Sequence, residues 1–140
     1  MIQMKVSELP NILNANKIKS DQIFKGVSIN SRNTVSDNLF IAIKGKRYDG
    51  HDYVKEAMDK GAIAAVVERF NPKLNAIQVV VADTMKALGT LASNWRTKFQ
   101  VPVIAITGSV GKTTVKEMIG SVLNQLGSCL TSHGNMNNEI

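Results

Sequence analysis

One cysteine, Cys129, in 140 residues cannot form an intrachain disulfide, so the fold has to rest on a buried core rather than on covalent staples. No apolar run approaches the roughly 20 residues that a membrane-spanning helix needs. The first residues lack the charged start and apolar core of a secretory signal. From these absences neither a disulfide scaffold nor a helical membrane anchor is expected, and a reducing, cytoplasmic setting is. Acidic residues are also scarce, 11 against 17 basic, which leaves a formal net charge of +6 and suits anionic partners. The lysines are spread from Lys5 to Lys116 rather than stacked on one helical face, and aromatics make up only 5% of the chain. A stacking surface for nucleic acid is therefore not expected, and the excess charge reads as solvated surface. A chain of this length can bury a real core.

What the chain does have is a glycine-bracketed loop in a telling place. Thr107-Gly108-Ser109-Val110-Gly111-Lys112-Thr113-Thr114 follows Val101, Val103, Ile104, Ala105 and Ile106, a nearly continuous β-branched run that predicts a strand buried on both faces. Pro102 falls near its start, where a missing N–H is tolerated. After the loop, Val115, Met118, Ile119, Val122, Leu123 and Leu126 recur at three- and four-residue steps, predicting a helix that ends at Gly127, with Met118 in a core. Strand, tight turn and helix are the setting of a phosphate cradle. Glycines let backbone N–H groups approach an anion while the helix dipole points at the same spot. Lys112 supplies a cation for the terminal phosphates, and the Thr113 hydroxyl an oxygen for Mg²⁺. Only two residues separate the glycines, where the common form of the motif has four. A Gly-x-x-Gly-Lys-Ser/Thr string arises by chance in roughly one chain in 200 of this length.

The remainder reads as alternating strands and helices, hence an α/β fold. Helical spacing at Leu9, Ile12 and Leu13 is cut short by Pro10 and the asparagines that follow. Gly26–Ile29, Leu39–Ile43, Ala62–Val67 and Ile77–Val81 are strand candidates. Asp52 is the expected N-cap of a helix through Tyr53, Val54, Ala57 and Met58 that stops at Gly61. Asp83 is the expected cap of a second helix carrying Met85, Leu88, Leu91, Ala92, Trp95 and Phe99 on one side. The phosphate loop comes late, whereas a parallel-sheet nucleotide domain needs several βα units after its first strand. The expected organisation is a small α/β domain with a connecting helix over residues 1–99, then the opening strand, loop, helix and second strand (Cys129–Thr131) of an incomplete nucleotide-binding domain over residues 100–140.

Polar constellations remain. Ser28-Ile29-Asn30-Ser31-Arg32 places hydroxyls, an amide and a guanidinium at a strand end, as a binding edge or a plain turn would. The loop from Lys44 to His51 can grip a nucleotide or lie free on the surface. His51 and His133 have no metal-ligand spacing. The asparagines of Gly134-Asn135-Met136-Asn137-Asn138-Glu139-Ile140 fit neither helix nor strand periodicity but supply amide donors and acceptors beside the loop.

These segments resemble the Mur ligases of peptidoglycan synthesis. Ser28–Arg32, Asn38–Gly45 and Asp49–Tyr53 are similar to the family's uridine-nucleotide domain; Thr107–Thr114 with Lys116-Glu117 resembles its shortened phosphate loop, and Gly134–Ile140 the form found in the branch that adds D-alanyl-D-alanine. One departure is Asn30, where many members carry Asp. The resemblance implies an ATP-dependent amide ligation: a carboxylate of UDP-MurNAc-tripeptide takes the γ-phosphoryl group, and the amine of D-Ala-D-Ala displaces it. It implies that Gly108, Ser109, Val110, Gly111 and Thr114 cradle the phosphates, that Lys112 is the catalytic cation, that Thr113 holds Mg²⁺, and that Asn137 and Asn138 lie near ATP. Ser31, Lys46, Arg47 and Tyr48 match positions that meet the uridine nucleotide. A monomer with small-molecule substrates, no nucleic acid and no membrane insertion is expected. The resemblance also implies a further Mg²⁺-binding glutamate, a carbamylated lysine and a C-terminal domain past Ile140, so these 140 residues alone are expected not to turn over in an ADP-release assay. The alternatives are another ligase of this fold, tripeptide-forming or folate-polyglutamating, and a non-enzymatic nucleotide-binding module.

Overall fold

The computed structural model describes residues 2–132, and the chain divides between Phe99 and Gln100 into two compact units. In the first, Val27–Ser28 (β3), Leu39–Ile41 (β4), Ala64–Val67 (β5) and Gln78–Val80 (β6) form a parallel sheet in that order. Leu39 pairs with Val27 on one side and Ala64 on the other, and Val66 pairs with Val79. A two-stranded antiparallel ribbon, Gln3–Lys5 (β1) with Ile23–Lys25 (β2), lies apart from that sheet. Only Met4 and Phe24 of the ribbon turn inward, so three-residue strands gave no alternation long enough to predict.

Period-two alternation splits the core between the two faces of the sheet. Leu39, Ile41, Ile43, Ala64, Val66, Val79 and Val81 pack on one side with Phe24, Leu9 and Leu91, the last from the helix Thr84–Thr97 (α3). The short helix Leu9–Leu13 (α1) lies against α3. Phe40, Ala42, Ala65 and Val67 face the other side, covered by Val54 and Ala57 of the helix Val54–Asp59 (α2). Both faces are covered, as a parallel sheet requires. The edge strand β6 is closed by a side chain: the Asn16 amide donates to Gln78 O at 3.4 Å, and Val80 N donates to Asn16 Oδ1 at 2.7 Å. This carboxamide takes the place of a neighbouring strand residue on an otherwise open edge.

Caps set the helix starts. Asp83 accepts from Lys86 N at 2.9 Å, as expected. Asp52 is not a cap: the chain turns into a short 3₁₀ segment, Gly50–Tyr53, before α2, and Asp49 caps it by accepting from His51 N at 3.0 Å. The cap therefore sits three residues earlier than the apolar periodicity suggested.

In the second unit the helix Lys112–Leu126 (α4) forms as predicted and ends at Gly127. The strand expected over Val101–Ile106 and the one over Cys129–Thr131 do not form. A strand exists by pairing, and α4 is the sole regular element among the described residues of this unit. Residues 128–132 instead fold back along α4, with Lys116 Nζ donating to Ser132 O at 2.6 Å and Cys129 N to Asn124 Oδ1 at 3.1 Å. Gly120 is buried against Thr131, whose methyl would lie 2.5 Å from any added Cβ. With no sheet beside α4 in the described residues, Val115, Val122 and Leu126 of its apolar stripe are exposed, and Met118, expected in a core, is 65% exposed.

Candidate active site

In the second unit, the loop that opens α4 is built from two left-handed glycines. Gly108 has φ +151° and Gly111, the N-cap of α4, has φ +80° and ψ 0°. Side chains are disfavoured at such angles, which accounts for the residue type at both positions. Gly111 O accepts the first helical bond, from Val115 N at 3.0 Å, and no side chain caps this end. The leading N–H groups of α4 therefore have no intrahelical acceptor and carry the positive end of its dipole. Lys112 curls its ammonium back over the loop to donate to Gly108 O, which keeps the cation above the residues between the glycines. Ser109, Val110, Thr113 and Thr114 are exposed around it. The loop so places Gly108 to Thr114 together; Asn137 and Asn138 lie outside the described residues.

In the first unit, a cleft of about 370 Å³ opens at the carboxyl edge of β3 and β4, the edge at which parallel sheets hold ligands. Phe40, Ile43 and Ile29 give it an apolar lining, and Asn30, Ser31 and Arg32 supply a polar turn. Tyr48, Gly50 and Tyr53 complete it. Of the residues expected to meet a nucleotide, Ser31 and Tyr48 line the cleft together; Lys46 and Arg47 are exposed on the same loop but do not line it. Sequence reasoning missed the walls Phe40 and Tyr53, which it read as core strand and helix positions; their signal was their place beside the polar turn.

The cleft's geometry is locally held. Asn30 Oδ1 accepts from Arg32 N at 3.0 Å, so an amide does at this position what a carboxylate would. Ser28 Oγ donates to Asn30 O at 2.9 Å and accepts from Thr34 Oγ1 at 3.1 Å. The loop before Gly50 is a closed hairpin in which Gly45 N donates to Tyr48 O at 2.9 Å and Lys44 bridges to Asp49. Gly50 passes so close to the neighbouring chain that a Cβ would meet Ile43 N at 2.7 Å and Ala42 C at 2.8 Å. His51 fixes the same turn from behind: Glu68 N donates to its Nε2 at 2.9 Å, so the proton sits on Nδ1 and is given to Asp49 Oδ1 at 2.6 Å. Asp49 also takes Arg69 Nη2 at 3.0 Å. Its carboxyl is held below the ordinary range, first by the backbone N–H of His51 and further by the His51 ring and Arg69. His51 thus spends both ring nitrogens on holding this turn.

A glycine loop on a helix start and an apolar cleft with a polar rim at a parallel-sheet edge mark an α/β protein with two candidate binding features. The description "Mur ligase family, catalytic domain" matches residues 23–96, and "Mur ligase middle domain" matches residues 106–140. The chain belongs to the Mur ligase family. It is 39% identical over 145 residues to the UDP-N-acetylmuramoyl-tripeptide--D-alanyl-D-alanine ligase of Haemophilus influenzae, covering 100% of this chain and 32% of that protein. A crystal structure of MurF from Acinetobacter baumannii superposes with a TM-score of 0.89 at 37% identity over 99% of this chain and 31% of its own. MurF ligase from Thermotoga maritima, solved in complex with ADP, matches 82% of this chain and 27% of its own at 36% identity with a TM-score of 0.74. The chain thus spans about a third of the length of the curated relative it matches end to end.

Proposed function

We propose that this chain contributes the nucleotide-binding parts of an ATP-dependent ligase that joins D-alanyl-D-alanine to UDP-MurNAc-tripeptide. The observation that carries the reading is the loop Gly108–Thr114 at the uncapped start of α4, in a chain similar over its whole length to a ligase of that name. In this reading residues 1–99 hold the uridine nucleotide in the Ser31–Tyr48 cleft, and the unit from Gln100 onward holds ATP. Backbone N–H groups of Gly108, Ser109, Val110 and Gly111 receive the phosphate oxygens, with Thr114 alongside. Lys112 leaves the Gly108 carbonyl for the β- and γ-oxygens, where its charge offsets the negative charge that develops in phosphoryl transfer. Lys46 and Arg47 extend the positive rim of the cleft toward the diphosphate.

A Mg²⁺ ion fits this donor set. Among the loop's hydroxyls, that of Thr113 directly follows Lys112 and is exposed in the first turn of α4, and no carboxylate or imidazole cluster competes among the described residues. A hard cation would be held by that hydroxyl with phosphate oxygens and water. When bound, it supplies charge neutralisation at the transferring phosphoryl group.

Isothermal titration of the full chain with ATP and Mg²⁺, and separately with UDP-MurNAc-tripeptide, tests the reading. Saturable binding of each at one site is expected, with Lys112→Ala weakening ATP by at least about tenfold and leaving the uridine ligand unaffected. Binding of neither ligand rejects it.

A further inference from the structure

Ser31 lines the cleft with its hydroxyl proton already committed. Ser31 is 5% exposed and its Oγ lies 3.1 Å from Glu56 Oε2. A carboxylate only accepts, so the hydroxyl is the donor. The other Glu56 oxygen accepts from Lys60 Nζ at 2.7 Å, and the same ammonium donates to Ser31 O at 3.0 Å. Lys60 and the Ser31 hydroxyl both hold Glu56 in its charged form, its carboxyl lowered from the ordinary value. The side chain of Ser31 can therefore offer the cleft lone pairs and nothing else. An acceptor-only oxygen beside a carboxylate disfavours a phosphate, while the lining of Phe40, Ile43 and Tyr53 suits a flat ring.

We propose that Glu56, through Ser31, selects a uracil over a cytosine ring in this cleft. The proposal sets the ring with N3 opposite Ser31 Oγ: there uracil donates its N–H, whereas cytosine brings a bare nitrogen, lone pair against lone pair, and must slide to offer its 4-amino group instead. Glu56 touches no ligand and is a positioning residue, and Lys60 fixes which of its oxygens faces the serine. The inference rests on the cleft being the uridine-nucleotide site and adds the residue that decides between the two pyrimidines.

The isosteric variant Glu56→Gln separates this role from simple support. Lys60 requires an oxygen partner, so the amide turns its nitrogen toward Ser31, the hydroxyl becomes an acceptor there, and its proton swings into the cleft. Titrating the full chain with UDP and with CDP, the parent should favour UDP by about tenfold or more. In Glu56→Gln the ratio should fall to near unity or invert, and Glu56→Ala should also lose it. A Glu56→Gln protein that keeps the parent ratio, even with both affinities weakened alike, overturns the proposal while leaving the cleft reading intact. So does a parent that binds both nucleotides equally. A parent that binds neither removes the cleft assignment and this inference with it.

Discussion

Replacing Gly50 by alanine should damage the first unit far more than a single methyl suggests. The new Cβ would lie 2.7 Å from Ile43 N and 2.8 Å from both Ala42 C and Ile43 O, against 3.4–4 Å for ordinary contact. Relief needs a displacement of more than half an ångström, and the atoms in the way are backbone, not the end of a flexible side chain. That peptide is pinned on both sides, Ala42 N donating to Val66 O and Gly50 N to Ile43 O, each at 2.9 Å. Both Ala42 and Ile43 are buried, so the strain passes into the core. Overpacking of this kind costs about 3 kcal/mol, the upper part of the usual range. For a unit of this size that lowers the melting temperature by about 12–24 °C. Gly89→Ala is the matched control: it lies inside α3 with nothing within 4 Å of the added methyl. There the same change should stabilise by about 0.5–1 kcal/mol. Thermal unfolding followed by circular dichroism reads both. If Gly50→Ala melts with the parent, the close passage of this turn against Ala42 and Ile43, just past β4, is not real, and the shape of the cleft that Gly50 lines goes with it.

Asp49→Asn tests the latch behind that turn. Because the folded carboxyl titrates below its ordinary 3.8, its stabilisation is fully present above that pH and is lost as pH falls through the folded value. Urea unfolding should therefore show a penalty for the variant near neutrality that fades in strong acid; a penalty independent of pH contradicts the charge argument. Asp83→Ala removes the bond to Lys86 N and should cost about 1 kcal/mol of unfolding free energy, measurable by urea titration. Gly111→Ala forces a side chain into the left-handed region at φ +80°. It should weaken ATP binding in a titration, where an unchanged affinity would show that the loop can be rebuilt without that angle.

Much of this architecture is legible in the chain, and for identifiable reasons. The buried runs at Leu39–Ile43 and Ala62–Val67 announce strands because both faces of a parallel sheet are covered. Asp83 and Gly127 bound their helices by local chemistry that needs no tertiary knowledge. The glycine loop before α4 is visible because the backbone angles at Gly108 and Gly111 require glycine. The ribbon of β1 and β2 is hidden because three residues with one inward side chain carry no period. Val101–Ile106 shows the converse: its composition favours a strand, yet a ladder depends on a neighbour, and composition cannot provide one. Asp49 displaced Asp52 as the cap because a 3₁₀ turn precedes α2. The Ser31–Glu56–Lys60 cluster joins a turn to a helix 25 residues away, a pairing that only the folded chain reveals.

The most direct test of the central claim is a residue-resolved titration of the full chain with ATP and Mg²⁺, following backbone amide signals by ¹H–¹⁵N correlation NMR. Saturable shifts concentrated at Gly108, Ser109, Val110, Gly111 and Lys112 are predicted. Amide signals there that stay still while the nucleotide is in excess would contradict the account.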